Sequence, residues 1–460
     1  MQAFFNNYYH LRKMVFFLGE GLLIFLSLLV VDWYMLTPGF FHLDLPMNAA
    51  RALLVTLIFQ LCLYFFDLYD VNGNFTLPIT FTRMIQAFGV GCVILAAIYY
   101  LFPFLIITTL IFWTGYIWIC LTVTLWRGTY YFILRNRYFV QNILVVGTGT
   151  LAADIAQEVE GVQDSVHRIC GFVGTGRPTF NPYNAPVRFR LEDYEDLFLR
   201  HKLQRIIVAL DDLRGETPIK TLLKCKMRGI SIEQGVSFYE RLTGKILVEK
   251  VPPSSIIYSD GFRSSWWTSQ LKRTIDVIAA VLLFSANLPV LLLTALLIKL
   301  ESPGPIFYVQ ERVGEKNRPF RLIKFRSMRQ DAESNGAVWA AENDPRVTRI
   351  GSIIRRLRID ELPQLINIFK GEMSLVGPRP ERRIFVDELV KKIPFYDIRH
   401  EVKPGVTGWA QVCYPYGASE LDALKKLEYD LYYMKNLSFA FDLLIIFKTA
   451  KTVLARKGSR

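Results

Sequence analysis

Four apolar stretches open the chain, at about 14–33, 51–69, 84–102 and 104–126, each near the ~20 residues a helix needs to cross a hydrocarbon core. Arg12 and Lys13 precede the first, and Arg127, Arg135 and Arg137 follow the fourth. The first loop carries Asp32 and Asp44, with no base before Arg51. That asymmetry places both ends of a four-helix region, 1–139, on the cytoplasmic side. The second loop (Asp67, Asp70, Arg83) hardly discriminates. Glu20 sits inside the first span, near its basic end. An acid there is a functional candidate by default, unless it simply reaches the interface. The first run is too long for a signal-peptide core and has no small-residue cleavage site, so no cleavable signal is expected.

The pattern changes near residue 140. Asn142-Ile143-Leu144-Val145-Val146-Gly147-Thr148-Gly149-Thr150-Leu151-Ala152 reads as a strand, a G-x-G-x-x-A turn and a helix start, a Rossmann-type opening. Further strands are predicted at 169–173, 205–210 and 230–233 with helical stretches between, making 140–250 an α/β domain. The second strand ends Gly171-Phe172-Val173-Gly174-Thr175, without the acid that would take a ribose hydroxyl pair. A vestigial or structural role is therefore expected of this domain, with nucleotide binding as the alternative left open, and no cofactor-binding residue is assigned. Residues 251–270 read as a linker, with Pro252-Pro253-Ser254-Ser255 and then Ser264-Ser265-Trp266-Trp267. Paired tryptophans suit a membrane interface. The apolar run Val277–Ile298 is long enough to span, yet it contains Ser285 and Pro289, which can break and bend a helix.

Beyond Glu301 the chain turns polar and basic. Residues 302–314 and 320–329 read as an extended pair presenting Lys324 and Arg326. Asp360 is placed as a helix N-cap with Pro363 in the first turn. Leu362, Leu365, Ile366 and Phe369 then form one apolar face, and Lys370-Gly371 ends the helix. Residues 402–412 form a Pro/Gly-rich loop holding Trp409. The tail from Phe439 is amphipathic, with Lys448, Lys451, Arg456 and Lys457 against Leu443, Ile445, Ile446 and Phe447, a pattern suited to lying on an anionic bilayer.

Composition agrees with membrane spans: 52% of residues are hydrophobic and 14% aromatic. The formal net charge of +13 falls mainly beyond residue 140, because the first 140 residues hold only seven of the 54 Lys and Arg. Beside membrane spans, that excess favours anionic lipid or phosphate-bearing substrates over nucleic acid. The six cysteines have neither disulfide nor metal spacing, and the five histidines form no metal-binding cluster.

The candidate chemistry lies at Asp360-Glu361, an acid pair with Arg355, Arg356 and Arg358 upstream and Arg379 downstream between two prolines. A carboxylate can serve as nucleophile or metal ligand while arginines neutralise phosphate oxygens, the parts that phosphoryl transfer needs. The stretch "DELPQLINIFKGEMSLVGPRP" closely resembles the signature of bacterial polyprenyl-phosphate hexose-1-phosphate transferases, the bacterial sugar transferase family. "SPGPIFYVQERVG", "FRLIKFRSMR", "NDPRVTRIG" and "VKPGVTGWAQV" continue the likeness, which is strong over 270–460 and architectural before that.

The resemblance implies a membrane α-helical bundle (1–139), an α/β Rossmann-like domain (140–250), a linker (251–270) and an α/β, mostly helical catalytic domain (271–460) with a re-entrant membrane helix at 272–299. A true fifth span would instead put everything after it outside, away from cytoplasmic nucleotide sugars. The implied reaction moves a sugar 1-phosphate from a nucleotide diphosphate sugar to undecaprenyl phosphate at the bacterial inner membrane, releasing nucleoside monophosphate, with the soluble domains cytoplasmic. Asp360 would be the nucleophile, and Glu361 would handle metal or protons. Mg²⁺ would sit beside the Asp360–Glu361 pair, and Lys324, Arg355 and Arg379 would take phosphate oxygens, with Arg356, Arg358 and Arg326 as second-rank candidates. Membrane lipids are expected partners, nucleic acid is not, and a homodimer is left open. Two other readings compete. One is a membrane-anchored NAD-dependent dehydratase or epimerase of nucleotide sugars, but the only Tyr-x-x-x-Lys spacing is Tyr9 with Lys13, ahead of the first span. The other is a non-catalytic scaffold of polysaccharide assembly, which the intact acid pair and its arginines oppose. No short motif names the sugar.

Overall fold

The computed structural model describes residues 8–35, 45–69, 77–135, 140–161, 167–174, 187–188, 203–210, 218–250, 261–262, 265–329, 344–415, 417 and 419–454. The chain divides into two compact units, Met1–Ile232 and Glu233–Arg460.

The first unit begins with four long helices, α1 (Tyr8–Met35), α2 (Leu45–Phe65), α3 (Leu77–Leu101) and α4 (Thr109–Arg135). Ile24, Phe59, Leu63, Phe88, Leu95, Ile119 and Val123 pack between them, while many other large apolar side chains stay exposed, as a lipid-facing surface requires. The boundary between the third and fourth stretches differs from the sequence reading. Pro103 opens a 3-10 turn, Pro103–Leu105, and α4 starts only at Thr109. Proline supplies no N–H to extend the preceding helix. Glu20 is fully enclosed by protein, 0% exposed. Arg127 donates to both its oxygens, Nε at 2.6 Å and Nη2 at 2.8 Å, and its Nη1 donates to the Leu68 carbonyl at 2.8 Å. Glu20 lies in the first half of α1, Leu68 just past α2 and Arg127 in the second half of α4, so the pair ties three of the four helices together.

A parallel sheet follows, with β1 (Gln141–Val146), α5 (Thr150–Glu160), β2 (His167–Val173), β3 (Val187–Arg188), β4 (Arg205–Val208), α6 (Ile219–Met227) and β5 (Ser231–Gln234). Its order is β3-β2-β1-β4-β5, and β1 pairs in parallel with both β2 and β4. A central strand covered on both faces needs a continuous apolar run, which Ile143–Val146 provides. The three predicted strands are present, and β3 is an addition. Gly147 has φ +130°, and a Cβ there would stand 2.1 Å from the Ala209 carbonyl oxygen, so this glycine serves the close approach of the chain after β4.

The second unit starts with α7 (Gly235–Thr243). Ile246 and Val248, expected in the α/β domain, instead lie in this unit's core with Trp409, Leu427 and Leu431. Of the expected linker, 251–260 and 263–264 lie outside the described residues. It does not extend to 270: helix α8 (Trp266–Glu301) begins at Trp266, where Ser265 caps by accepting from Thr268 N at 3.2 Å. The 36 residues of α8 run through Ser285 and Pro289 as one helix. Near its start, Lys272 bonds Asp442 and the Val376 carbonyl, and Asp276 accepts from Leu375 N. Towards its end, Leu291 and Ile298 pack against Phe325 and Ile354, and Glu301 accepts from Ile350 N. Its other face, from Trp266 to Leu300, is largely exposed and apolar. With α1 to α4 it makes five helices long and apolar enough to cross a membrane among the described residues.

The expected extended pair is an antiparallel hairpin, β6 (Phe307–Val313) and β7 (Pro319–Phe325), with Tyr308 opposite Lys324. Then come α9 (Arg349–Arg356), a 3-10 turn at Ile359–Gln364, α10 (Leu365–Lys370), β8 (Ser374–Val376), α11 (Arg383–Lys392), β9 (Gly405–Thr407), α12 (Trp409–Cys413), α13 (Glu420–Lys435) and α14 (Phe439–Leu454). The predicted amphipathic tail is α14, with Ile445 buried and Leu443 and Phe447 exposed; Arg456 and Lys457 lie outside the described residues.

Candidate active site

Three pieces of backbone bring the acids and bases of the second unit together. The first is β7. Phe320 and Leu322 point into the core, and Lys324, two residues on, shares their side and is carried inward with them. The second is the segment around Asp360, which is not the helix N-cap the sequence suggests. Asp360 lies within the 3-10 turn, and α10 has only six residues, too few for a useful dipole. The buried positions of α10 are Leu365, Asn367 and Ile368, while Phe369 is exposed. Asn367 decides this: its Nδ2 donates to the Arg321 carbonyl at 2.7 Å and its Oδ1 accepts from Ile323 N at 3.1 Å, pinning α10 to β7. Gly371, φ +83°, ends α10 as predicted. Arg273 donates to the carbonyls of Ile368 and Phe369 at that end.

The third piece is the crossing of two loops. Cβ atoms on Gly377 and Gly405 would lie 2.3 Å from the Lys403 carbonyl oxygen and 2.1 Å from Gly377 N. Only glycines let β8 and β9 pair this closely, and the chain leaving β8 then presents Arg379 between Pro378 and Pro380. Buried Arg399 donates to the Arg379 carbonyl at 3.1 Å and to the Tyr396 hydroxyl at 2.7 Å, and pairs with buried Asp430 at 2.7 Å. Nothing in sequence spacing marks Arg399 or Asp430, because their contacts arise from chain segments far apart.

The structure joins Glu361 to three cations: Lys324 at 3.3 Å, Arg379 at 3.0 Å and Arg358 at 3.6 Å. Arg358 reaches it from a left-handed backbone position, φ +54°. Burial pushes the Glu361 carboxyl up, but Lys324, Arg379 and Arg358 together hold it well below the ordinary range. Asp360 is buried beside it, and no hydrogen bond reaches its carboxyl among the described residues. Burial and then the Glu361 charge raise Asp360 to about 6, against the opposing pull of Lys324, Arg355 and Arg379. Burial also lowers Lys324. Arg355 is half-buried in α9 and acts on Asp360 through its charge. Arg356 is exposed. Arg326 is spent elsewhere: buried, it donates to the carbonyls of Ser302 and Pro303, bracing the turn after α8.

Two carboxylates among four cations leave an excess of positive charge, which suits a diphosphate. The acids suit a metal unequally. The Glu361 oxygens face basic groups, whereas Asp360 offers a carboxylate that one hard cation could share with substrate phosphates. No group of three or more His, Cys, Asp or Glu side chains placed to hold a metal occurs among the described residues.

The profile described as "Bacterial sugar transferase" matches residues 267–456, the segment that contains this site. The chain is 45% identical over 279 residues to the UDP-N-acetylgalactosamine-undecaprenyl-phosphate N-acetylgalactosaminephosphotransferase of Aeromonas hydrophila, covering 60% of this chain and 65% of that one. It is 34% identical over 351 residues to the undecaprenyl-phosphate glucose phosphotransferase of Komagataeibacter xylinus, covering 74% and 64%. Both matches thus span just under two thirds of the relative's length. Against the exopolysaccharide production protein PSS of Rhizobium leguminosarum bv. phaseoli, the identity is 42% over 195 residues, which is 40% of this chain but 96% of that protein.

Proposed function

The chain belongs to the bacterial sugar transferase family, and from that premise we propose that it transfers a sugar 1-phosphate from a nucleotide diphosphate sugar to undecaprenyl phosphate, initiating synthesis of an exopolysaccharide or related glycan. The observation that carries the reading is the contrast inside the acid pair: Glu361 is held by cations while buried Asp360 keeps its carboxyl unbonded beside them. An Asp360 oxygen attacks the β-phosphorus, and the bond from that phosphorus to the bridging oxygen breaks. Nucleoside monophosphate leaves with the electron pair. Attack by the lipid phosphate oxygen on the same phosphorus then restores the carboxylate and yields the lipid diphosphate sugar. Lys324, Arg355 and Arg379 meet phosphate oxygens, and Glu361 orients Lys324 and Arg379 towards Asp360. Magnesium held at Asp360 would neutralise diphosphate charge.

In this reading α8 is re-entrant and the soluble parts are cytoplasmic, the catalytic domain takes in Ile246 and Val248, and the bacterial inner membrane is the host. Contacts at both ends of α8 with one unit support a helix that returns to the face it entered.

With undecaprenyl phosphate withheld, the wild type should release up to one nucleoside monophosphate per site and gain the mass of a sugar phosphate on the peptide carrying Asp360. Asp360→Asn should abolish both while the protein stays folded. Glu361→Gln should also cripple turnover, because Lys324 and Arg379 lose the charge that orients them. Nucleotide release only when lipid is present, with no trapped adduct, would replace this mechanism by direct transfer. A panel of nucleotide diphosphate sugars names the donor.

A further inference from the structure

Helix α6 of the parallel sheet carries a feature that the transfer reaction does not use. Ile219, Leu223 and Met227 are 70%, 56% and 82% exposed. At about 100° per residue, positions four apart stay on one face, so these three form a single stripe. The core-facing side of α6 is marked by Leu222 and Cys225, both buried, about 130° round from the stripe. Lys220 and Lys224 flank the stripe on one side, with the C-cap residue Arg228 beyond them, Lys226 flanks it on the other, and Ile219–Arg228 contains no acid. Asp211, Asp212 and Glu216, earlier in the chain, lie outside the described residues.

An apolar strip rimmed by lysines matches an anionic lipid surface, with side chains for the acyl boundary and ammonium groups for the headgroups. The chain also keeps this domain within reach of such a surface. β1 begins at Gln141, six residues after α4 ends at Arg135, a tether of at most ~20 Å. We infer that α6 seats the parallel-sheet domain on the anionic bilayer face from which α4 emerges. Covalent tethering gives the helix a high effective concentration at that surface, so a short strip is enough.

The test uses the full chain in nanodiscs with a photo-crosslinking benzophenone amino acid at Leu223, and a control at exposed Gln157 on α5. In phosphatidylglycerol-containing discs Leu223 should cross-link to lipid and Gln157 should not. Lys220→Glu, Lys224→Glu and Lys226→Glu should each cut the lipid adduct by about fivefold, as should phosphatidylcholine discs or high salt. These lysines are exposed, so thermal melting of the variants should match wild type and separate lost docking from lost folding. Cross-linking to a second copy of the chain would make the stripe a dimer surface and overturn the inference. So would an absence of lipid adduct in every disc, or an adduct insensitive to charge.

Discussion

Asp360 owes its raised pKa to burial and to the Glu361 charge next to it, and this fixes how activity and stability respond to pH. On the proposed mechanism, protonation removes the nucleophile. Nucleoside monophosphate release at low donor concentration should therefore fall about tenfold per pH unit on its acid side, and the limb should move to lower pH as magnesium is raised, because a cation at Asp360 favours the carboxylate. Arg379→Ala removes a cation that lowers Asp360, so the acid limb should move to higher pH as well as lose amplitude. An acid limb that Arg379→Ala leaves unmoved at fixed magnesium would exclude Asp360 as the titrating group. Stability has the opposite sign. A carboxyl whose folded pKa exceeds its unfolded value loses stability for the protein as pH rises from about 4 to 6. Ligand-free Asp360→Asn should therefore melt higher than wild type at neutral pH, by the equivalent of about 2–3 kcal/mol at most, and lose that advantage below pH ~4. Arg399 works at one remove, holding the Arg379 carbonyl as a positioning residue. Arg399→Lys should lower turnover and raise the acid limb. In Arg379→Ala it should cost little more, whereas additive losses would make Arg399 a purely structural brace.

At the scale of elements, the apolar runs were legible because each spans many residues and has only one cheap environment. The parallel sheet was legible through β1, whose apolar run and glycine turn need no long-range information. Asp360 and Glu361 could be found in the motif, but their division of labour could not, since it depends on Lys324 arriving from β7 and Arg379 from the β8–β9 crossing. The apolar spacing around α10 misled for a similar reason: Asn367, a polar residue, faces inward to clasp β7. Pro289 points to a break that the assigned helix does not show, and the membrane path of α8 becomes the test. Single cysteines introduced at Gln270 and Ser302, in a background without the native cysteines, should both react only with reagent on the cytoplasmic side. Labelling of position 302 from the other side alone would make α8 a fifth span and move Asp360 across the membrane.

Every residue of the candidate site lies in one of the two units, and the Rhizobium relative is nearly all matched by two fifths of this chain. Chemistry should then survive without the first unit, provided the cut respects the packing. A boundary at 250 does not. Ile246, Leu247 and Val248 are buried, Ile246 N donates to the Glu428 carbonyl at 3.0 Å, and the Gly244 carbonyl accepts from Trp409 Nε1 at 2.8 Å. Removing three buried aliphatic side chains costs about 5–8 kcal/mol, comparable with the whole stability of a domain. A chain of residues 233–460 should fold in membranes and release nucleoside monophosphate within several-fold of the full protein. A chain of residues 251–460 should aggregate or melt far lower, and adding back 233–250 should restore it. If 233–460 melts cooperatively yet forms no sugar-phosphate adduct, then the four-helix region or the sheet supplies part of the active site, and the catalytic unit is not self-sufficient. If 251–460 folds as well as 233–460, the contacts of Gly244 and Ile246 are dispensable and the boundary belongs at 250 after all.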